Sequence, residues 1–304
     1  MDIIKILQEE LGIRRGQVET TIKLIDEGNT IPFIARYRKE MTGSLDDETL
    51  RNFHERLLYL RNLEDRKEAI KKNIEEQGKL TKELAKQIEE AKTLVAVEDL
   101  YRPYRPKRRT RATIAKEKGL EPLANLILLQ MTNEPLEKEA KAFINEEKDV
   151  KTVEDALKGA NDIIAEHIAD DAEYRTWIRK ATWDHGKITS TAKKPDESSV
   201  FEMYYDFEEP IKKIAGYRIL AINRGEKEGI LQVKIEPDMQ KIASYLARKI
   251  VTKKNPNTTK ALFAAIEDSY KRLIAPSIER DIRNELTENA STEAIKVFGK
   301  NLAQ

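Results

Sequence analysis

Residues 44 to 78 read SLDDETLRNFHERLLYLRNLEDRKEAIKKNIEEQG, and this segment predicts the main helix of the first part of the chain. Its apolar residues recur mostly at spacings of three and four, which places them on one helical face. Ser44 with Asp47 has the spacing of a capping box at the start of this helix, and Gly78 supplies its end. The expected core residues are Leu50, Phe53, Leu57, Leu60, Leu63, Ile70 and Ile74.

Helical segments are predicted on both sides of this long helix. A second helix from Thr81 would fold back on it through the turn at Gly78, forming a long helical hairpin. Upstream, Asp2 to Leu11 and Gln17 to Glu27 each predict a short helix, whereas Asn29 to Pro32 would interrupt the helical pattern. The amino-terminal region is therefore expected to be multi-helical.

A pair of short helices is predicted after residue 111. The segments Ile114 to Lys118 and Pro122 to Met131 flank Gly119, which indicates a helix-turn-helix-like module. A pair that reads DNA would usually have an apolar residue six positions after the turn glycine, where this chain has Asn125. Two packed helices without a DNA-reading role fit the sequence equally well.

The pattern changes after Gly186 and indicates a small sheet. The segments Lys187 to Thr191, Val200 to Phe207 and Ile230 to Ile235 are rich in β-branched and aromatic residues with partial alternation. The segment Gly216 to Asn223 fits either a strand or a short helix. Helices are predicted for the remainder of the chain.

The predicted fold class is mainly α, with a small β element in the 187–236 region. The expected domains are a helical region over 1–111, a helix-turn-helix-like module over 112–190, and a carboxy-terminal part over 191–304 whose helices pack back on the first region. The last segment, Ser291 to Gln304, is predicted to be an amphipathic helix without a residue that ends it, so we expect a truncated chain.

Composition narrows the class of protein. The chain has 304 residues, 39% of them hydrophobic, and no cysteine, which excludes disulfides and thiolate chemistry. Its 55 basic side chains nearly cancel 54 acidic ones, so any contact with nucleic acid must use local basic patches. We find neither a signal peptide nor an apolar run of about 20 residues, and we expect a cytoplasmic protein without a membrane partner.

The sequence carries no recognisable catalytic or metal-binding motif. Its three histidines, His54, His167 and His185, lie too far apart for a zinc motif such as HExxH. Glycine-rich phosphate loops and the GxSxG pattern are also missing from the sequence. We therefore expect no catalytic residue, no metal, no cofactor and no enzymatic activity.

The segment from Tyr101 to Arg111 reads YRPYRPKRRTR, and we call it the basic strap. Its two prolines exclude a regular helix, and its cations and tyrosines suit phosphate and base contacts. An equally good alternative is that the cations pair with acidic helix faces and hold the strap against the domain. The candidate nucleic-acid-binding residues of the strap are Arg102, Arg105, Lys107, Arg108, Arg109 and Arg111.

A second basic stretch, Ile31 to Lys39, reads IPFIARYRK. Its apolar residues are expected to pack in the core, while Arg36, Arg38 and Lys39 either brace carboxylates or face a nucleic acid. Bracing is the favoured interpretation of this stretch.

Four long stretches resemble the Tex family of bacterial transcription-accessory proteins. They are TIPFIARYRKEMTGSLDD from Thr30, VEDLYRPYRPKRRTRATIAKEKGLEPLA from Val97, YRILAINRGEKEG from Tyr217, and RLIAPSIERDIRNELTENASTEAIKVFGKNL from Arg272. Family members are much longer, so the resemblance implies that RNase H-like, helix-hairpin-helix and OB-fold RNA-binding domains follow Gln304. The chain departs from the family at Tyr217, where relatives typically have a histidine.

The resemblance implies a function in transcription. We expect the chain to be the scaffold portion of an RNA-binding accessory protein, with weak phosphate contacts through the basic residues named above. RNA is the expected nucleic acid, in preference to DNA. The alternative is a protein-interaction module that docks on the transcription or translation machinery, and an exposed apolar groove would favour it.

Overall fold

The computed structural model describes the backbone of residues 1–302 and the side chains of residues 1–294. The chain forms two compact units, Met1–Tyr104 and Arg105–Gln304. The first unit is built from helices, and the second combines helices with a three-stranded antiparallel sheet. The predicted fold class, mainly α with a small β element, is confirmed.

The helices of the first unit share three neighbouring apolar cores. They are α1 (Ile3–Leu11), α2 (Arg15–Asp26), α3 (Ile31–Tyr37), α4 (Asp47–Glu76), α5 (Lys82–Glu90) and α6 (Leu94–Tyr101). A short 3-10 turn, Arg102–Tyr104, follows α6.

Helix α4 is the long helix that the sequence predicts, and all seven of its expected core residues are buried. Its cap is different from the predicted one. Asp46, and not Ser44, caps the helix, because the Asp46 carboxylate accepts a hydrogen bond from the Thr49 amide at 2.7 Å. Ser44 has a positive φ of 63° and donates its amide to the Lys39 carbonyl, so it belongs to the preceding turn.

Two short helices follow α4, where the sequence predicts a single long second arm of a hairpin. Helix α5 packs on α4, where the Lys67 ammonium donates to the Glu89 carbonyl at 2.6 Å. The Thr93 hydroxyl then accepts from the backbone and starts a separate helix, α6. This helix also lies on α4, and the Tyr101 hydroxyl donates to Asn73 at 2.9 Å. The predicted second arm is thus two short helices, because a new cap interrupts it.

The second unit has one continuous apolar core. Its helices are α7 (Arg111–Glu117), α8 (Glu121–Leu129), α9 (Leu136–Lys141), α10 (Val153–Asp170), α11 (Ala172–His185), α12 (Gly216–Lys227), α13 (Met239–Ile250), α14 (Pro256–Asp268) and α15 (Ala275–Leu302). A π-helical segment, Ser269–Ile274, joins the last two helices. The strands are β1 (Lys187–Ala192), β2 (Asp206–Pro210) and β3 (Leu231–Glu236), in the order β2-β1-β3.

Two of the three predicted strands match the sheet, and the third is displaced. The segment Val200 to Phe207 is mostly a turn, because Phe201 and Tyr204 both reach the core from a 3-10 segment; only its last two residues enter β2. The ambiguous segment Gly216 to Asn223 is helical and lies in α12. Burial of Ile219 and Ile222, three residues apart, agrees with helical spacing.

Helices α7 and α8 form the predicted pair around Gly119, and they pack on α10. The contact is close at Gly159 of α10, where a Cβ would lie 2.2 Å from the Leu120 Cδ1 atom. Asn125 is exposed on α8. Helix α8 ends at Leu129, two residues earlier than expected, because Gln130 takes a left-handed backbone conformation with φ of 55°.

The carboxy-terminal part of α15 carries the predicted segment Ser291 to Gln304. The backbone is helical to Leu302, but the side chains after residue 294 lie outside the described residues, as does the amphipathic pattern expected there. Within the described residues, no helix combines the length and apolar character that crossing a bilayer requires.

Candidate nucleic-acid interface

The basic strap has the irregular backbone that its prolines predict. The 3-10 turn Arg102–Tyr104 leads into a loop, and the Thr110 hydroxyl accepts from the Thr113 amide to start α7. The boundary between the two compact units falls within the strap, after Tyr104. Arg102 therefore belongs to the first unit, and the other five candidate cations belong to the second.

Lys107 holds the strap against an acidic face of α10. Its ammonium lies 3.5 Å from a Glu166 carboxylate oxygen and also contacts the Asp170 carboxylate. Asp162, Glu166 and Asp170 follow one another at intervals of four residues and so share one face of the helix. At this position the strap follows the alternative in which cations pair with an acidic helix face.

Arg111 lies near the other end of the same acidic face. Burial raises the pKa of Asp162, and the positive charges of Arg272 and Arg111 oppose this rise. Hydrogen bonds from Arg272 lower the pKa of Asp268, and Arg111 lowers it further. Arg272 bonds Asp268 at 2.7 and 2.9 Å, whereas the effect of Arg111 on both carboxylates is that of its positive charge.

The remaining strap arginines differ in how they are held. Arg109 pairs with Glu117 at 2.8 Å, and its side chain is 69% exposed. Arg108 is exposed, and no described residue lies within ion-pair or hydrogen-bond distance of its side chain. Arg105 is exposed and Arg102 half-buried, and both have interaction partners. The strap thus combines residues held by the protein with at least one guanidinium that faces solvent.

The predicted interruption of the helical pattern falls at residues 27–30, and the second basic stretch is helical from Ile31, two residues earlier than expected. Thr30 caps α3 by accepting from the Phe33 amide at 3.4 Å, and Pro32 lies in the first turn, where the missing amide hydrogen has no helical partner to lose. Ile31 and Ile34 are buried, as expected of the apolar residues.

The three candidate cations of this stretch, Arg36, Arg38 and Lys39, are all exposed. Among the described residues, none of the three has a carboxylate within ion-pair distance. Arg38 instead lies 5.2 Å from the centroid of the Phe33 ring and donates to the Tyr37 carbonyl at 3.2 Å. Within the part of the chain whose side chains are described, the favoured expectation that these cations brace carboxylates is therefore not met.

Three carboxylates that the sequence does not single out meet in the first unit. Oxygens of Glu64, Glu68 and Glu89 lie within 4.8 Å of one another. Lys71 bonds Glu68 at 2.5 Å and Glu89 at 3.2 Å, and the Met1 amino group lies 3.3 Å from Glu89. The hydrogen bond from Lys71 lowers the pKa of Glu89. Cations of the chain itself thus balance this cluster.

The comparisons with known proteins cover both units. The family model described as "Tex-like protein N-terminal domain" matches residues 1–75, and the one described as "Tex central region-like" matches residues 131–298. An uncharacterised protein of Bacillus subtilis is 50% identical over 97% of this chain and 42% of its own length.

Two further relatives have descriptive names. The transcriptional accessory protein Tex of Neisseria gonorrhoeae is 41% identical over 99% of this chain and 40% of its own length. The S1 RNA-binding domain-containing protein 1 of Homo sapiens is 32% identical over 100% of this chain and 32% of its own length. The chain therefore spans less than half the length of each of these relatives.

Proposed function

Because the chain belongs to the Tex family, we propose that it is the non-catalytic scaffold portion of a cytoplasmic transcription-accessory protein that binds nucleic acid. In this proposal the two helical units support RNA-binding domains elsewhere in the protein, and their basic residues add weak contacts to phosphates. RNA is the preferred nucleic acid. The names of two relatives, which mention transcription and RNA binding, support this role.

The observation that carries the proposal is that neighbouring cations of the basic strap differ: one is paired within the protein, and the next is exposed. Lys107 is paired with two carboxylates of α10 and fixes the backbone of the loop. Arg108, the next residue, faces solvent without a described partner. A guanidinium on a fixed loop can donate two hydrogen bonds to one phosphate without a large loss of backbone entropy. Each phosphate that such a cation contacts adds roughly 0.7 to the log-log salt slope, so a small number of contacts predicts weak binding with a moderate dependence on salt.

Fluorescence anisotropy with a labelled single-stranded RNA tests this proposal. The affinity should fall with salt, and the log-log slope should decrease by roughly 0.7 for each phosphate contact removed. We expect Arg108→Gln combined with Arg109→Gln to lower the slope by about 1.4. The control, Lys79→Gln combined with Lys82→Gln, removes the same charge from exposed positions of the first unit and should leave the slope almost unchanged.

Two results would contradict the proposal. One is the absence of RNA binding by the folded chain at low salt. The other is an equal loss of slope in the strap variant and in its control, which would mean that only the total charge matters. A parallel titration with duplex DNA measures the preference for RNA.

A protein-docking role is the second candidate, and an apolar surface cleft favours it. The cleft, with a volume of about 690 Å³, lies beside the end of α8. Two of its lining residues, Leu129 and Met131, are 61% and 67% exposed. Exposed apolar side chains around a cleft are typical of interaction sites. If this cleft docks on the transcription or translation machinery, Leu129→Ser should weaken binding to purified RNA polymerase or ribosomes and leave RNA affinity unchanged.

A further inference from the structure

An exposed aromatic and basic surface lies at the end of α3 in the first unit. It consists of Arg36, Tyr37, Arg38, Lys39 and Met41, and we call it the α3 patch. The Tyr37 side chain is 60% exposed and the Met41 side chain 54%. The three cations are exposed as well, so the patch offers a ring, a thioether and three positive charges to solvent.

The turn that follows α3 holds the patch in a defined conformation. Thr42 is fully buried, and its hydroxyl donates to the Lys39 carbonyl at 3.1 Å. The Gln17 amide of α2 donates to the Thr42 carbonyl at 3.0 Å. Gly43 has a φ of +67°, and a Cβ there would lie 2.7 Å from the Gln17 amide nitrogen. The backbone beneath the exposed side chains is therefore tied to α2.

Contacts with Phe33, which lies one helical turn before the patch, also order the Tyr37 ring and the Arg38 side chain. The Tyr37 ring lies 5.2 Å from the Phe33 ring, at an interplanar angle of 45°. The Arg38 guanidinium lies 5.2 Å from the centroid of Phe33. These contacts limit the freedom of Tyr37 without covering it. A ring that is ordered and exposed loses little entropy when a planar ligand stacks on it.

The charged side chains of the α3 patch are all basic. Arg36, Arg38 and Lys39 have no described carboxylate partner, and Glu40 is the single acidic residue within the stretch from 31 to 45. All four arginines of α4 differ from them, because each pairs with a carboxylate; Arg56, for example, bonds Glu10 at 2.6 Å, and Arg61 bonds Asp26 at 2.7 Å. Packing explains the buried Ile34 of α3. It does not explain an exposed ring beside three cations that have no carboxylate partner among residues 1–294.

We propose that the α3 patch binds single-stranded nucleic acid, with one base stacked on Tyr37 and the flanking phosphates bound by Arg36 and Lys39. This inference rests on the proposed function and adds a specific site to it. Stacking on an exposed aromatic side chain requires an unpaired base, since the bases of a duplex stack on one another. The cations supply the affinity for the backbone, and the ring distinguishes a single strand from a duplex.

The test compares variants of Tyr37 in the whole chain by anisotropy with a labelled 12-nucleotide RNA, single-stranded or annealed. Tyr37→Ala should weaken single-strand binding by about fivefold or more, the loss expected from one stacking contact. The slope of affinity against salt should stay unchanged, because no charge is removed. Tyr37→Phe keeps the ring and should bind like the wild type, whereas Tyr37→Leu should resemble Tyr37→Ala. Duplex binding should not change in any of these variants.

The cations give an independent readout. Arg36→Gln combined with Lys39→Gln should lower the salt slope by about 1.4, and the Lys79→Gln, Lys82→Gln control should not. Equal Kd values for Tyr37→Ala and the wild type on single strands would overturn the inference. If the strap variant still loses slope in that experiment, the proposed function stands without the α3 patch. If the wild-type chain binds no RNA at low salt, the proposed function fails, and the α3 patch fails with it.

Discussion

Replacing Gln130 by alanine should destabilise the second unit measurably. The Gln130 side chain amide bridges the end of α8 to the segment after α13. It donates to the Ile250 carbonyl at 2.8 Å and accepts from the amides of Thr252 and Lys253 at 3.1 and 3.2 Å. The side chain is almost fully buried, with 5% of Gln130 exposed. Alanine removes these three hydrogen bonds together with two weaker contacts of the same amide, to the Leu128 carbonyl and the Thr252 hydroxyl.

The expected loss in the free energy of unfolding depends on whether water can reach the groups that lose their hydrogen bonds. The Ile250 carbonyl is in a buried bond, so its loss should contribute about 1 kcal/mol or more. Thr252 and Lys253 are exposed, so water can replace the lost acceptor there, and the two bonds together should contribute about 1 kcal/mol. We therefore expect a loss of about 2 kcal/mol in the free energy of unfolding, or roughly 4–8 °C in Tm for a unit of this size.

Urea unfolding followed by tryptophan fluorescence measures the free energy of unfolding of the second compact unit. Both tryptophans, Trp177 and Trp183, lie in the second unit, so the signal reports on its unfolding. Gln130→Gly loses the same hydrogen bonds but relieves the left-handed backbone, so it should be about 1 kcal/mol more stable than Gln130→Ala. A loss below about 0.5 kcal/mol for Gln130→Ala, with an unchanged m-value, would refute this account of the bridge.

Three further predictions concern the second unit. Lys107→Gln should lower its free energy of unfolding by about 1 kcal/mol, because Glu166 and Asp170 each lose their ion pair with Lys107. Arg108→Gln should leave the free energy of unfolding unchanged, and thermal denaturation distinguishes the two variants. Hydrogen bonds from two lysines lower the pKa of Asp184 to about 2, so its contribution is present above pH 4 and is lost as the pH falls toward 2. Asp184→Asn should therefore show a weaker decline in stability than the wild type over that range, and acid titration by circular dichroism measures it. Gly186→Ala would place a Cβ 2.4 Å from the Thr182 carbonyl oxygen and should lower the free energy of unfolding by roughly 1–3 kcal/mol in urea titration; a variant as stable as the wild type would contradict this.

The long helix α4 could be predicted from the sequence because its signal is long and periodic. A spacing of mostly three and four from Leu50 to Ile74 outweighs local exceptions, and every expected core position is buried. The residue that caps the start of α4 could not be identified from the sequence. Ser44 and Asp46 both precede the helix and both can accept a hydrogen bond. The choice depends on the preceding turn, whose Gly43 is held by Gln17 of another helix.

Contacts between distant residues explain the other differences. The segment from 200 to 207 has strand-like composition, but its aromatic residues fill the core from a turn. The early end of α8 depends on Gln130, whose partners lie about 120 residues further along the chain. A prediction from local pattern cannot include such partners. The short segment from 216 to 223 fits a strand and a helix equally well in sequence, and only its packing in the core shows that it is helical.

The positions of the basic residues of the candidate interface could be predicted from the sequence, but their pairing and exposure could not. The two basic stretches are visible in the sequence because their charge is concentrated. Composition could not separate Lys107, which pairs across 63 residues with α10, from Arg108, which faces solvent. The exposure of Tyr37 could not be predicted either, because an aromatic residue near the buried Ile34 is as typical of a core as of a surface.

The most direct test of the account is the salt dependence of single-stranded RNA binding by the wild-type chain. Anisotropy titrations from 25 to about 200 mM salt measure how many phosphates the protein contacts, because each contact adds roughly 0.7 to the log-log slope. We expect measurable binding at low salt with a slope of about 2 to 4, from the exposed cations of the basic strap and the α3 patch. A folded chain that does not bind RNA at the lowest salt, or that binds with a slope near zero, would contradict it.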